Sequence, residues 1–233
     1  MTARYAIYYA PAADGRLWRK ASEWLGRDAV TDQALAQPTL PSLEDLDVAA
    51  LTADPRHYGF HATLKAPFEM AASRSEAQLL AAAANLAASL APFEARIAPA
   101  ALGRFLAFRL QDGEAEMEAL HEACVRAFEP FRAPLSRADL TRRRKAPLTP
   151  AQDAKLLQWG YPYLFDDFRF HMTLTGAIAD DAVRGRVLAA LQAHFADESG
   201  PHLFDAVAVF RQAERDAPFE VLQRSPFRAK VPA

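Results

Sequence analysis

The chain has 233 residues, 51% of them hydrophobic and 24% charged, with a formal net charge of −2. That profile fits a soluble globular protein able to bury a substantial core, and it excludes the broad basic footprint of a general nucleic-acid binder. A single cysteine, Cys124, cannot close an internal disulfide, which fits a reducing compartment.

The opening stretch RYAIYYA, Arg4 to Ala10, is aromatic and reads as a strand closed by Pro11, not as the apolar core of a signal peptide. A cytoplasmic protein is expected. Trp18 to Leu25 reads as a short helix, and Thr31 to Leu51 gives no clear signal. YGFHATLKAPF, ending at Phe68, is a strand candidate. Ser73 and Glu76 have the spacing of a capping box for a helix with Leu79, Ala83, Leu86 and Leu90 on one side. Its alanine-rich run is interrupted by Asn85 and Ser89 and falls short of a membrane span; no membrane partner is expected.

FEARIAPAAL and RFLAFRLQ read as two strands. Gly113 precedes an amphipathic helix with Met117, Leu120, Cys124, Ala127 and Phe131 on one side, ended early by Pro130. Arg137 to Leu148 reads as a basic connector. Thr149, Pro150 and Gln152 open a further helix that stops at Gly160. FRFHMTLTGAI is the next strand, Asp180 or Asp181 starts a helix, and LFDAVAVFRQ and FEVLQR finish the chain as two strands. Helices beside mostly antiparallel strands define an α+β class.

Two of these strands carry the same words. Phe60-His61-Ala62-Thr63-Leu64 and Phe170-His171-Met172-Thr173-Leu174 both read Phe-His-x-Thr-Leu. Given one copy, a second has a chance probability on the order of 10⁻³. A lone strand histidine is more often a satisfied core residue; the duplicated context points to function instead. On a strand, His61, Thr63 and Lys65 share one face, and His171, Thr173 and Thr175 share another. Two such strands across a cleft would present two imidazoles and two hydroxyls to one small volume. One imidazole can take a proton from water while the other gives one to a leaving oxygen. The hydroxyls can bind the non-bridging oxygens of a phosphodiester.

The paired FHATL and FHMTL resemble the two His-x-Thr signatures of the 2H (two-histidine) phosphoesterase superfamily. RYAIYYAP, RRRKAPLTPAQ, WGYPYLFDDFRFHMTLTG and VAVFRQ are similar to a branch of it encoded beside phosphonate-degradation genes. The resemblance implies a single bilobal domain over residues 1–233, with two antiparallel sheets facing a central cleft and helices outside. It implies His61 and His171 as the acid–base pair, Thr63 and Thr173 as phosphate ligands, and no metal or other cofactor. The branch implies a small phosphorylated substrate such as a phosphorylated ribose 1,2-cyclic phosphate.

Other residues carry two readings. Lys65 either reaches a substrate phosphate or ends a strand in solvent, and Thr175 lies on the face of His171. Arg142 and Arg143, with Arg144 and Lys145, form either a solvated loop or a phosphate clamp. Tyr58, Tyr161 and Tyr163 line the entrance or pack. His57 and His61 have the four-residue spacing of zinc ligands on a helix, but Gly59 and the β-type residues after it argue against a helix there. His121, His194 and His202 read as structural or exposed. RNA ends with a 2′,3′-cyclic phosphate remain an alternative substrate, disfavoured by the net charge. So does a non-catalytic binder of phosphorylated ligands.

Overall fold

The computed structural model describes residues 3–228. Its strands form one eight-stranded sheet in the order β6-β3-β4-β5-β2-β1-β7-β8, and every pairing is antiparallel. Here β1 is Arg4–Tyr9, β2 Ala62–Glu69, β3 Phe93–Leu102, β4 Phe105–Leu110, β5 Met172–Thr173, β6 Gly200–Phe204, β7 Ala206–Gln212 and β8 Phe219–Pro226. The fold is α+β, as the sequence predicts. The two expected sheets are two four-stranded halves of one sheet, joined at the centre where Ala62 of β2 pairs with Met172 of β5.

The strand β1 is buried on both faces because its two side-chain rows meet different partners. Tyr5, Ile7 and Tyr9 enter the main core, beneath the helices. Ala6, Tyr8 and Ala10 join a smaller cluster on the opposite face with Trp18, Ala208, Phe210 and Phe219. This second face is the one that carries the cleft.

The helices follow from their apolar stripes and caps. Among them, α1 (Arg16–Leu25) buries Trp18 and Trp24, α2 spans Val48–Leu51 and α3 spans Ala53–Tyr58. The helix α4 (Glu76–Ser89) packs on β7 and β8, and α5 (Glu114–Phe128) packs on β2. The capping box of α4 is formed by Ser75 and Gln78 instead of Ser73 and Glu76, because the chain stays in a turn past Ser73. The expected connector from Arg137 contains a helix, α6 (Arg137–Arg143), whose cap is the Ser136 side chain accepting from Asp139 N–H. The helix α7 (Pro150–Trp159) has the predicted Thr149–Gln152 box and ends at Gly160 in a left-handed conformation. The last helix, α8 (Asp181–His194), is capped by Asp180 and packs on β3 and β4.

Three strand expectations change. YGFHATLKAPF is a strand only from Ala62, because Tyr58 closes α3 and Gly59 breaks the chain direction. LFDAVAVFRQ is broken at Asp205 into β6 and β7, which pair with β3 and β1 in opposite halves of the sheet. The strand expected over Phe168 to Ile178 keeps a regular ladder only at Met172 and Thr173, since the N–H groups of Leu174 and Thr175 both turn to the Leu106 carbonyl. Among the described residues no helix is long and apolar enough to cross a membrane.

Candidate active site

The Ala62–Met172 pair lies midway between the two His-x-Thr segments. In an antiparallel register, one step either way sets His61 opposite Thr173 and Thr63 opposite His171. The cavities agree: one is lined by His61 with Thr173 and another by Thr63 with His171. Each histidine thus works beside the other copy's threonine, with an approximate two-fold axis between them.

Both rings are held the same way. Nδ1 of His61 lies 2.9 Å from the Gly59 carbonyl, and Nδ1 of His171 lies 2.7 Å from the Arg169 carbonyl. A carbonyl only accepts, so each Nδ1 carries its proton and donates. That fixes the tautomer and leaves Nε2 free for chemistry. The Thr63 hydroxyl is 3.4 Å from His61 Nε2. His61 stacks on Tyr8 with ring centroids 3.8 Å apart, and His171 meets the edge of Phe105. Gly59 is needed for this: its φ is +76°, and an added Cβ would lie 2.5 Å from the Ala29 Cβ.

Burial lowers both imidazole pKa values. His61 is pushed down to about 4, by desolvation first and by the nearby His171 as well. His171 is lowered by desolvation and by Arg109. Each carbonyl acceptor opposes the shift, because it favours the protonated ring.

The main cavity, about 480 Å³, is lined by His61, Thr63 and Thr173 at one side and by Arg4, Arg142, Arg143 and Arg215 at another. Tyr8, Tyr58 and Tyr161 complete its walls. His171 opens into the adjoining pocket of about 350 Å³, which shares Thr63, Ala66 and Tyr161 with the main one. Tyr163 lines that second pocket and not the main one.

Of the candidates named from sequence, His61, His171, Thr63, Thr173, Tyr58, Arg142 and Arg143 come together around these cavities. Lys65 does not. It is 3% exposed and lies under α5, donating to Glu129 at 2.8 Å and to the Val125 carbonyl. The cause is a register shift in β2: Tyr8 pairs with Thr63, but Ile7 pairs with Lys65. The extra residue, Leu64, reverses the alternation, so Lys65 follows Ile7 to the helix-covered face. Thr175 is fully buried, and its hydroxyl oxygen accepts the Leu106 N–H at 3.0 Å; it ties the segment after β5 to β4.

Lys65→Met is therefore expected to lower stability by about 1–3 kcal/mol, since Glu129 keeps Arg132 as a partner. Turnover should be unaffected. Denaturant melts and kcat/KM on one preparation check this; lost activity at full stability would return Lys65 to the cleft.

The basic run divides. Arg142 pairs with Asp139, and Arg144 faces away to Asp153. Arg143 lies over the Tyr161 ring at 5.0 Å, with Nε buried and unpartnered. Sequence reasoning missed Arg4, Tyr8 and Arg215. Arg4 and Tyr8 share a face by simple alternation, a legible signal once one histidine is placed under Tyr8. Arg215, in the β7–β8 turn, carries no such signal. His57 lies in the last turn of α3, but Gly59 terminates that helix before His61, and His57 Nε2 accepts from Gln212 at 3.0 Å. Among the described residues no three His, Cys, Asp or Glu side chains converge as a metal site.

The chain belongs to the family described as protein of unknown function (DUF1045), whose model matches residues 63–220. It is 38% identical over 241 residues to "Ribose 1,5-bisphosphate phosphokinase PhnN" of Janthinobacterium sp. (strain Marseille), covering 98% of this chain and 53% of that protein. It is 37% identical over 222 residues to the protein of the same name from Laribacter hongkongensis (strain HLHK9), covering 94% and 50%. The chain spans about half the length of the curated relatives it matches. Among solved structures, "Crystal structure of phosphoesterase" aligns over 97% of this chain and 99% of that one, with 10% identity and a TM-score of 0.43. E. coli LigT in apo form aligns over 97% and 98%, with 9% identity and a TM-score of 0.42.

Proposed function

We propose that the chain is a metal-independent cyclic phosphodiesterase of the 2H type, acting on a small phosphorylated sugar or nucleotide. The observation that carries this reading is the crossed placement of the two His-x-Thr pairs beside one cavity, with both Nδ1 atoms committed to carbonyls. Water attacks the phosphorus while one imidazole takes its proton at Nε2. The other, as imidazolium, delivers a proton from Nε2 to the ester oxygen as the P–O bond breaks. A phosphate monoester and a free hydroxyl result. Thr63 and Thr173 donate to the non-bridging oxygens, where charge gathers in the transition state. His61, whose pKa burial pushes down to about 4, is neutral near pH 7 and is assigned here as the base, with His171 as the acid.

The substrate this reading favours is a phosphoribosyl 1,2-cyclic phosphate arising in phosphonate breakdown. The name shared by the two curated relatives supports it: opening such a ring at the 2-oxygen yields a ribose 1,5-bisphosphate. A net charge of −2 does not favour RNA ends.

The pH profile follows from the histidines. The free enzyme is competent when one imidazole is protonated and the other is not. Both pKa values lie below 6.5, so kcat/KM should peak on the acid side of 6.5 and fall about tenfold per pH unit above the higher one. A bound phosphodiester's negative charge raises the acid's pKa, so the alkaline limb of kcat should lie at higher pH. Rates from pH 4.5 to 9 in excess chelator check both points. A flat kcat/KM profile would remove the acid–base pair, and complete loss of turnover with chelator would remove the metal-free mechanism.

A further inference from the structure

The arginine side of the main cavity is overbuilt for a cyclic phosphodiester, which carries one negative charge. Four guanidiniums line it: Arg4, Arg142, Arg143 and Arg215. The nearby carboxylates are Asp139 and Glu69. Asp139 is taken by Arg142 and Arg215, and Glu69 by Arg215. Among the described residues Arg4 and Arg143 have no carboxylate within ion-pair distance. Two positive charges are left over in a partly enclosed space.

The fold holds them there without neutralising them. Arg4 sits opposite Gln212 on the cleft face, and its Nε donates to the Gln212 Oε1 at 2.7 Å. Gln212 is fully buried, with its amide nitrogen spent on His57 and the Arg215 and Ala217 carbonyls. A neutral amide therefore aims Arg4 where a glutamate would cancel it. Arg143 is steadied by the Tyr161 ring, another neutral partner. Like charges gathered in this way repel one another, and they persist where a ligand rewards them.

We propose that Arg4 and Arg143, with Arg142 and Arg215 at the rim, form a second subsite that grips a phosphate monoester dianion on the same substrate whose cyclic phosphate lies between the histidines. The inference rests on the hydrolase reading and deepens it, naming the residues that select cyclic phosphates bearing a second, terminal phosphate. Arg4 lies four residues along β1 from Tyr8, which stacks on His61; that is about 13 Å of extended strand, and the arginine side chain lines the same cavity. A sugar with phosphate at both ends matches this better than a bare cyclic nucleotide. The reaction class that supplies the substrate must leave that terminal phosphate in place.

The test compares ribose 1,2-cyclic phosphate with and without a 5-phosphate, using the whole chain and the Arg4→Gln and Arg143→Gln variants. The intact protein should prefer the 5-phosphorylated compound by roughly 100-fold or more in kcat/KM, and each variant should erode that preference roughly 10–100-fold. Arg143→Gln relieves repulsion and should melt at the same temperature or higher, while Arg4→Gln also removes the donor to the buried Gln212 Oε1 and should melt slightly lower. Equal rates on both compounds, falling in parallel in the variants, would overturn the subsite and leave the hydrolase standing. A lowered melting temperature with unchanged preference would make these arginines structural and also overturn it. If neither compound is hydrolysed, calorimetry with ribose 5-phosphate separates the two ideas. Binding that is lost in Arg143→Gln keeps the subsite while the hydrolase reading fails; absence of binding overturns the subsite too.

Discussion

Replacing either His61 or His171 with alanine should lower kcat by about 10²–10⁴-fold, the usual contribution of a positioned general acid or base. That corresponds to roughly 3–5 kcal/mol of barrier. The two losses should not add, because a base without its acid still faces an unprotonated leaving oxygen. Stability should survive. Each ring lies at the junction of cavity and sheet, and its replacement removes a stack on Tyr8 or an edge contact with Phe105, worth about 0.5–1.5 kcal/mol. Single-turnover rates on a cyclic phosphate, with thermal melts alongside, check this. Near-normal kcat in either variant would contradict the assignment.

Acidification should destabilise the fold steeply below neutrality. Burial holds His61, His121 and His202 each at about 4, against about 6.5 in an unfolded chain. The unfolded state therefore binds more protons between those values, and stability falls as pH drops from 6.5 towards 4. A fully buried histidine shifted in this way costs up to about 3 kcal/mol by the acid end, and a partly exposed one less. Together they are a large share of the 5–15 kcal/mol typical of a domain. His121 adds a structural cost, since its Nε2 accepts the Phe165 N–H at 3.1 Å and its ring stacks on Phe168. Denaturant melts at several pH values should show the midpoint falling through this window. Stability independent of pH between 7.5 and 4.5 would show that these rings are not buried as described.

The sequence made the elements legible where local chemistry decides them. The Thr149–Gln152 box and Gly160 delimit α7, and β3 and β4 follow from their β-favouring residues. The histidine pair was legible because a strand of Phe-His-x-Thr-Leu is costly to repeat by chance. Longer-range pairing was not legible. Simple alternation put Lys65 beside Thr63, and only the β1–β2 register shows the bulge that turns it inward. Asp205 splits an apolar run whose halves serve opposite sides of the sheet, a choice set by partners far away in sequence. Gln212 sits near the end of the VAVFRQ stretch, yet its role in aiming Arg4 depends on a cross-strand contact between the two ends of the described chain. Arg215 reaches the cavity from a turn, where neither period nor cap announces it.

The central claim is that two distant chain segments grip one phosphorus atom from both sides. A crystal structure of the His61→Ala variant with an uncleaved cyclic phosphate measures this directly. His171 Nε2 is expected within about 2.6–3.2 Å of an ester oxygen, with Thr63 and Thr173 on the non-bridging oxygens and the vacated His61 position facing the opposite side of the phosphorus. A phosphate seated elsewhere, or touching only one of the two segments, would contradict the account.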